Sequence, residues 1–229
     1  MMRTRNIAVA AAVMAALALA SCQDFFTSSF ASWAQRDPSV PSGLTADQAM
    51  SIADQAVANR DTGLAQALLP QMADLIATGT PPAALVASAV GTAVLASGID
   101  DAFGTILTDI GIEALTDDPN AYAAQIDAII SSIAVDGDAQ SIFTALAAAD
   151  PNVMAAAGAT ASDYATAAAA LVLAEAAANS INFFTDVPAP DITTFACYLT
   201  VETLMDNASA TWPNDSIVDV LADFISYVP

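Results

Sequence analysis

The 229 residues suffice for one compact domain with its own core, and they carry 25 acidic side chains against four arginines, with no lysine and no histidine, for a formal net charge of −21. That excess repels nucleic acid and anionic lipid headgroups, which excludes a nucleic-acid partner. Without imidazole or lysine there is no Ser-His-Asp or Cys-His base, no histidine metal ligand, no Schiff-base lysine and no phosphate-loop lysine, so only carboxylate chemistry is left.

At the start of the chain Arg3 and Arg5 lead into an apolar run over residues 7–20, which closes on Leu19-Ala20-Ser21-Cys22. A basic beginning, a greasy stretch too short for a finished membrane span and a small-residue exit are the marks of an export signal. In these residues the chain resembles a bacterial lipoprotein precursor, with the last four matching the lipobox. The resemblance implies cleavage before Cys22, acylation of its thiol and attachment to the membrane through that lipid, so that residues 1–21 are the signal peptide. Gln23, rather than an acid, follows Cys22. By the sorting rule of such lipoproteins this favours the outer over the inner membrane, with the body facing the periplasm or the cell surface. After cleavage Arg36 and Arg60 are the only basic side chains left against all 25 acids, a formal charge of −23. With Cys22 lipidated, Cys197 has no intramolecular partner. It reads as a small buried hydrophobe.

Residues 22–44 have the Ser, Thr and Pro of a tether, interrupted by Phe25, Phe26, Phe30 and Trp33. Phe26, Phe30 and Trp33 fall at i, i+4 and i+7, on one helical face. Two readings are open: the face lies in the lipid interface, or it folds back on the domain. The second is favoured, because a solvated linker would hardly keep four large aromatics exposed. Residues 22–37 also resemble, faintly, the leaders of uncharacterised spirochaete lipoproteins, with an aromatic-Thr-Ser followed by Trp and Arg-Asp. That resemblance implies no activity.

Residues 45–229 read as a single all-helical domain. Thr45-Ala46-Asp47-Gln48 has the form of a capping box, with Ala49, Ile52, Ala53, Ala56 and Val57 on one face behind it. Asp61 caps the next helix, which turns Leu64, Leu68, Met72, Leu75 and Ile76 inward and stops at Gly79; Pro70 should kink or divide it. Thr80-Pro81-Pro82 opens a third helix closed by Gly98. No charge occurs between Asp74 and Asp100, but residues 83–99 are short and rich in small polar residues, so a central helix buried on all sides is expected rather than a second span. Asp100 opens a helix carrying Phe103, Ile106, Leu107 and Ile110. Asp118-Pro119 opens another, with Tyr122, Ile126, Ile129, Ile130 and Ile133.

Asp136-Gly137-Asp138 reads as a turn into Ile142, Phe143 and Leu146, and Asp150-Pro151 begins a short piece. A long Ala-rich helix spans about residues 159–182. Pro188 and Pro190 break the chain before Asp191 caps a helix with Phe195, Leu199 and Leu204. Pro213-Asn214-Asp215 introduces Ile217, Val220, Leu221, Phe224 and Val228 at helical spacing. No alternating run is long enough to compete as a strand. About a quarter of the residues are Ala, which favours helix and lets helix axes approach closely. Asp118-Pro119-Asn120 recurs as Asp150-Pro151-Asn152, near the period of tetratricopeptide hairpins, although the Trp and Leu-Gly signature of that repeat is missing. The expectation is an all-α fold, either a helical-hairpin array of tetratricopeptide type or an irregular helical bundle.

The dense acid spots Asp100-Asp101, Asp117-Asp118 and Asp136-x-Asp138 all stand where helices start, so capping and dipole complementarity account for them. None has EF-hand spacing; Asp136 and Asp138 are kept as secondary candidates for holding Ca²⁺. No catalytic, cofactor-binding or other metal-ligating residue is assigned, and Cys22 is the one assigned site, for lipidation. The leading functional reading is a non-enzymatic, lipid-anchored binding or scaffold module of the bacterial envelope. It would hold an envelope protein whose identity the sequence does not give. In anchor and helical architecture the chain is broadly similar to lipoproteins that accompany solute transporters, such as the T component of TRAP systems, with no shared motif, and this implies an accessory role in transport. The alternatives are a carrier of a small apolar ligand between Ala-rich helices and, less favoured, a carboxylate hydrolase, for which no acid pair stands out.

Overall fold

The computed structural model describes residues 40–99, 101–102, 128, 132–179, 181, 192–213 and 215. The chain divides between Ser39 and Val40, and all of these residues belong to the part beginning at Val40. Cys22, the aromatics of the tether, Asp100, Asp117, Asp118 and the apolar series at 103–126, 129–130 and 217–228 lie outside the described residues.

Regular structure among the described residues is entirely helical, as the sequence predicts. It comprises α1 (Ala46–Asn59), α2 (Thr62–Ala77), α3 (Ala83–Ser97), α4 (Gly137–Ala148), α5 (Pro151–Ala156), α6 (Ala161–Ala178), a 3-10 turn (Ile192–Thr194) and α7 (Tyr198–Thr211). The helix starts are written in local chemistry. Thr45 and Gln48 form the reciprocal capping box of α1, Asp61 accepts the Leu64 amide at the head of α2, and Asp150 accepts from Asn152 and Val153 at the head of α5. Gly98 ends α3 in the left-handed region with φ 71°, where a side chain is strained. At α6 Thr160 and Asp163 make a second reciprocal box that was not anticipated, because Asp stands where Glu or Gln is usual.

Pro70 neither divides α2 nor stops it: the helix runs from Thr62 to Ala77 with the proline inside. The residue is exposed, so its ring sits on the solvent side of the helix, and the Gln66 carbonyl loses only the one amide partner that proline cannot supply. Helix α2 then ends at Ala77, two residues short of Gly79. The Ala-rich helix is shorter than the predicted 159–182 as well. Thr160 fixes its start, and it closes at Ala178 with Asn179 as its cap.

The arrangement is organised around α3. It packs against α1, α2, α4, α5 and α6, and Ala84 is its one exposed residue. The central buried helix expected for this stretch is therefore what the chain builds, and no helix among the described residues is long and apolar enough to cross a membrane. Its two most buried polar side chains stay within the helix: Thr92 donates to the Ser88 carbonyl at 2.9 Å and Ser97 to the Val94 carbonyl at 2.8 Å. In a solenoid each hairpin touches only its neighbours. Here α3 contacts five of the other six described helices, while α6 and α7 also pair extensively with each other, an all-helical packing that fits a bundle or an array. One of the two Asp-Pro-Asn segments lies outside the described residues.

The core combines alanines that let the axes close in with a few large knobs. Ala49, Ala53 and Ala56 of α1 are fully buried, as are Leu68 and Met72 of α2 and Ile142, Phe143 and Leu146 of α4. Val40 and Leu44, at the end of the predicted tether, also pack on this core. Val57, expected to face inward, is 44 % exposed.

Candidate functional site

The acid spot kept as a Ca²⁺ candidate resolves into a helix start. Asp136 is the N-cap of α4, with extended backbone, and its Oδ1 accepts the Ala139 amide at 2.9 Å. Gly137 and Asp138 are not a turn before the helix but its first two residues. Partial burial raises the Asp138 carboxyl above its usual range, and repulsion from Asp136 and from Asp74 on α2 adds to the rise. Three negative charges thus act on one neighbourhood, with one carboxylate already committed to the backbone. Among the described residues no group of three or more His, Cys, Asp or Glu is placed to hold a metal ion.

A more organised set of side chains lies at the α6/α7 pair, one of the two most extensive helix pairings described, and the sequence analysis assigned it no role. Glu175 on α6 reaches the start of α7, where its Oε1 accepts the Ala196 amide at 2.6 Å and its Oε2 accepts the Cys197 amide at 2.9 Å. Cys197 is itself the N-cap residue of α7 and supplies no side-chain cap, so the cap comes from the neighbouring helix. Burial pushes the Glu175 carboxyl up. The two amide hydrogen bonds and one from the Cys197 thiol outweigh it, and the net shift is downward.

The same contact decides the character of Cys197. It is half-buried and free, and it packs at the edge of the core rather than inside it. Burial, then the hydrogen bond to Glu175 and its negative charge, push the thiol up to about 12. At neutral pH it is a protonated donor, without the thiolate a nucleophile requires. The predicted helix phase here is corrected too. Phe195 precedes α7, outside the helix, and Leu199 is 72 % exposed; the buried side of α7 is Val201, Leu204, Met205 and Ala208. Asp191 lies outside the described residues.

At the opposite end of this helix pair the Tyr164 ring of α6 meets Trp212, just beyond α7, with centroids 5.6 Å apart and planes tilted by 53°. Tyr164 is fully buried and its hydroxyl has no hydrogen-bond partner. Burial, with Asp150 and Asp163 adding negative charge, pushes it up to about 12, so it stays a neutral phenol. Asn207 ties α7 to the bundle by donating from Nδ2 to the Ala147 carbonyl of α4 at 3.1 Å. The sequence held one faint signal of this arrangement. Glu175 is the only charge in the apolar second half of α6, a place where an acid needs a partner.

These contacts close helix ends and fasten helices to one another; the chemistry they supply is structural. No protein-family model, curated protein or solved structure matches the chain.

Proposed function

We propose that this protein is a lipid-anchored helical binding or scaffold lipoprotein of the bacterial envelope, acting outside the cytoplasm as an accessory to an envelope assembly such as a transport system. The observation that carries the reading is the order of features at the N-terminus. Arg3 and Arg5, the apolar run over 7–20 and Leu19-Ala20-Ser21-Cys22 follow one another without a gap. In this reading the Cys22 thiol carries the acyl group, Gln23 directs the protein to the outer membrane, and the acidic helical body stands in aqueous surroundings with its charge keeping it soluble.

Two features of the body favour a binding role over catalysis. The composition leaves only carboxylates for acid-base work, and the most organised of these, Glu175, is spent on capping α7. The test is expression of the chain and of Cys22→Ala in a bacterial host. The parent should carry an acyl mass increment on Cys22 and stay with membranes through salt and carbonate washing, while Cys22→Ala should accumulate as the uncleaved, unacylated precursor. A parent that is soluble and unmodified would overturn the assignment. Native mass spectrometry of the delipidated body separates the two binding readings: a co-purifying small molecule favours the carrier, and in-cell crosslinking to an envelope protein favours the scaffold.

A further inference from the structure

We propose that Glu175 is an acid-releasable latch: while its carboxylate is charged, the start of α7 is held on α6, and on protonation that end of α7 detaches while the body around α3 stays folded. Two amides of one turn converge on the two oxygens of one carboxylate, from residues 21 and 22 positions further along the chain. Cys197 offers no side chain to cap its own helix, and the amides of Tyr198 and Thr200 turn back onto the carbonyls of Phe195 and Cys197. The head of α7 is thus fixed from outside. A charged carboxylate there gains from both hydrogen bonds and from the helix dipole. A neutral carboxyl keeps one acceptor and turns its other oxygen into a donor that faces an amide donor.

Among the described residues, Glu175 is the carboxylate that accepts amides at the head of α7. Among the titratable side chains of the elements packed there, α3 and α5 carry none and α4 carries Asp138; α6 adds Asp163 and Tyr164, and α7 adds Tyr198, Glu202 and Asp206. Of these and Cys197, the thiol of Cys197 is the one that acts on Glu175, and it remains a protonated donor throughout. Because Glu175 is held below its ordinary range, the latch is fully engaged above the usual carboxylate pKa. It is lost as pH falls through the lowered value. Acid acts on the rest of the molecule in the opposite sense, since it removes self-repulsion from a chain of formal charge −21. The aspartate caps Asp61, Asp136 and Asp150 each serve only the first turn of their own helix.

Hydrogen exchange of the full-length chain, followed by mass spectrometry between pH 6 and pH 3 and expressed as protection factors, tests the latch. Protection of residues 195–201 should fall by about tenfold or more across that range, while residues 83–97 keep theirs. Glu175→Gln, which presents the acceptor and donor of the neutral acid, should show the low value already at pH 6 and little further change. Cys197→Ala should retain the response, because the amides and not the thiol carry the latch. Three results would overturn the proposal: residues 195–201 tracking residues 83–97 in the parent, Glu175→Gln protected as well as the parent at pH 6, or Cys197→Ala abolishing the response. Should Glu175→Gln fail to fold, the comparison of the two segments in the parent decides alone.

Discussion

Asp136 shows how a single side chain can be assigned by asking which of its oxygens is already spoken for. A calcium ligand needs lone pairs free to face the ion together with other oxygens, commonly six or more in all. Asp136 Oδ1 accepts the Ala139 amide, and the Asp138 pKa is raised first by partial burial and then by repulsion from Asp136 and Asp74. The cap reading makes a graded prediction. Asp136→Ala should lower stability to denaturant by about 0.5–2 kcal/mol, and Asp136→Asn, which keeps an acceptor, by much less. Millimolar calcium should leave both differences unchanged. A calcium-dependent rise in the denaturation midpoint of the parent, lost in both variants, would restore the ion site.

At the level of whole helices, the central position of α3 sets what its sequence tolerates. Gly91 sits, half-buried, in the middle of this helix, where glycine costs about 0.5–1 kcal/mol relative to alanine unless a neighbour leaves no room for a side chain. Here there is room: a Cβ on Gly91 would meet Val57 Cγ2 of α1 at 3.8 Å, an ordinary contact, and Val57 is partly exposed and free to adjust. Gly91→Ala should therefore stabilise the protein by about 0.5–1 kcal/mol, read as a higher denaturation midpoint with an unchanged slope; a loss of stability would mean the α1/α3 approach is tighter than these contacts indicate. The helix ends show what a sequence discloses. Thr45, Asp61, Asp150 and Gly98 act on backbone within a few residues of themselves, so the ends they fix were legible. The cap on α7 was not, because its donors and acceptor lie 21 and 22 residues apart and only packing brings them together. That gap also explains the wrong phase for Leu199. Starting the helix ahead of Phe195 rotates every later residue, whereas starting it at Tyr198 leaves Leu199 outside and turns Val201, Leu204 and Met205 in. At Asp136 the helix cap was legible, since capping is a local act, whereas Asp74 was overlooked because that charge comes from another helix.

For the molecule as a whole, the placement of charge sets a local gain against a global cost. Asp47, Asp61, Asp136, Asp138, Asp150 and Asp163 all stand at helix heads, where amide hydrogen bonds and the dipole favour them. Arg60, the one cation among the described residues, closes α1 at its C-terminal end, the end that favours positive charge. Each choice helps its own helix, yet together they leave a body of formal charge −23 after the predicted cleavage, with every acid repelling the others. The two terms respond to salt differently. Cap hydrogen bonds act over about 3 Å and are little screened, while repulsion between acids spaced further apart than the Debye length, about 10 Å at 0.1 M, is largely removed. Stability should therefore rise as NaCl goes from 10 mM to 1 M, by about 2–4 °C in thermal midpoint for each kcal/mol of repulsion relieved in a domain of this size. Choline chloride should serve as well as NaCl, because screening depends on ionic strength and not on the cation. If sodium or calcium surpassed choline at equal ionic strength, bound cations rather than screening would be holding the acids, and if the midpoint fell with salt, the helix-end terms would outweigh the repulsion. A rise that continued steeply past 1 M would identify a chain matched to saline surroundings; one that levelled off near 0.2 M would assign the acidity to keeping an alanine-rich body dispersed in water.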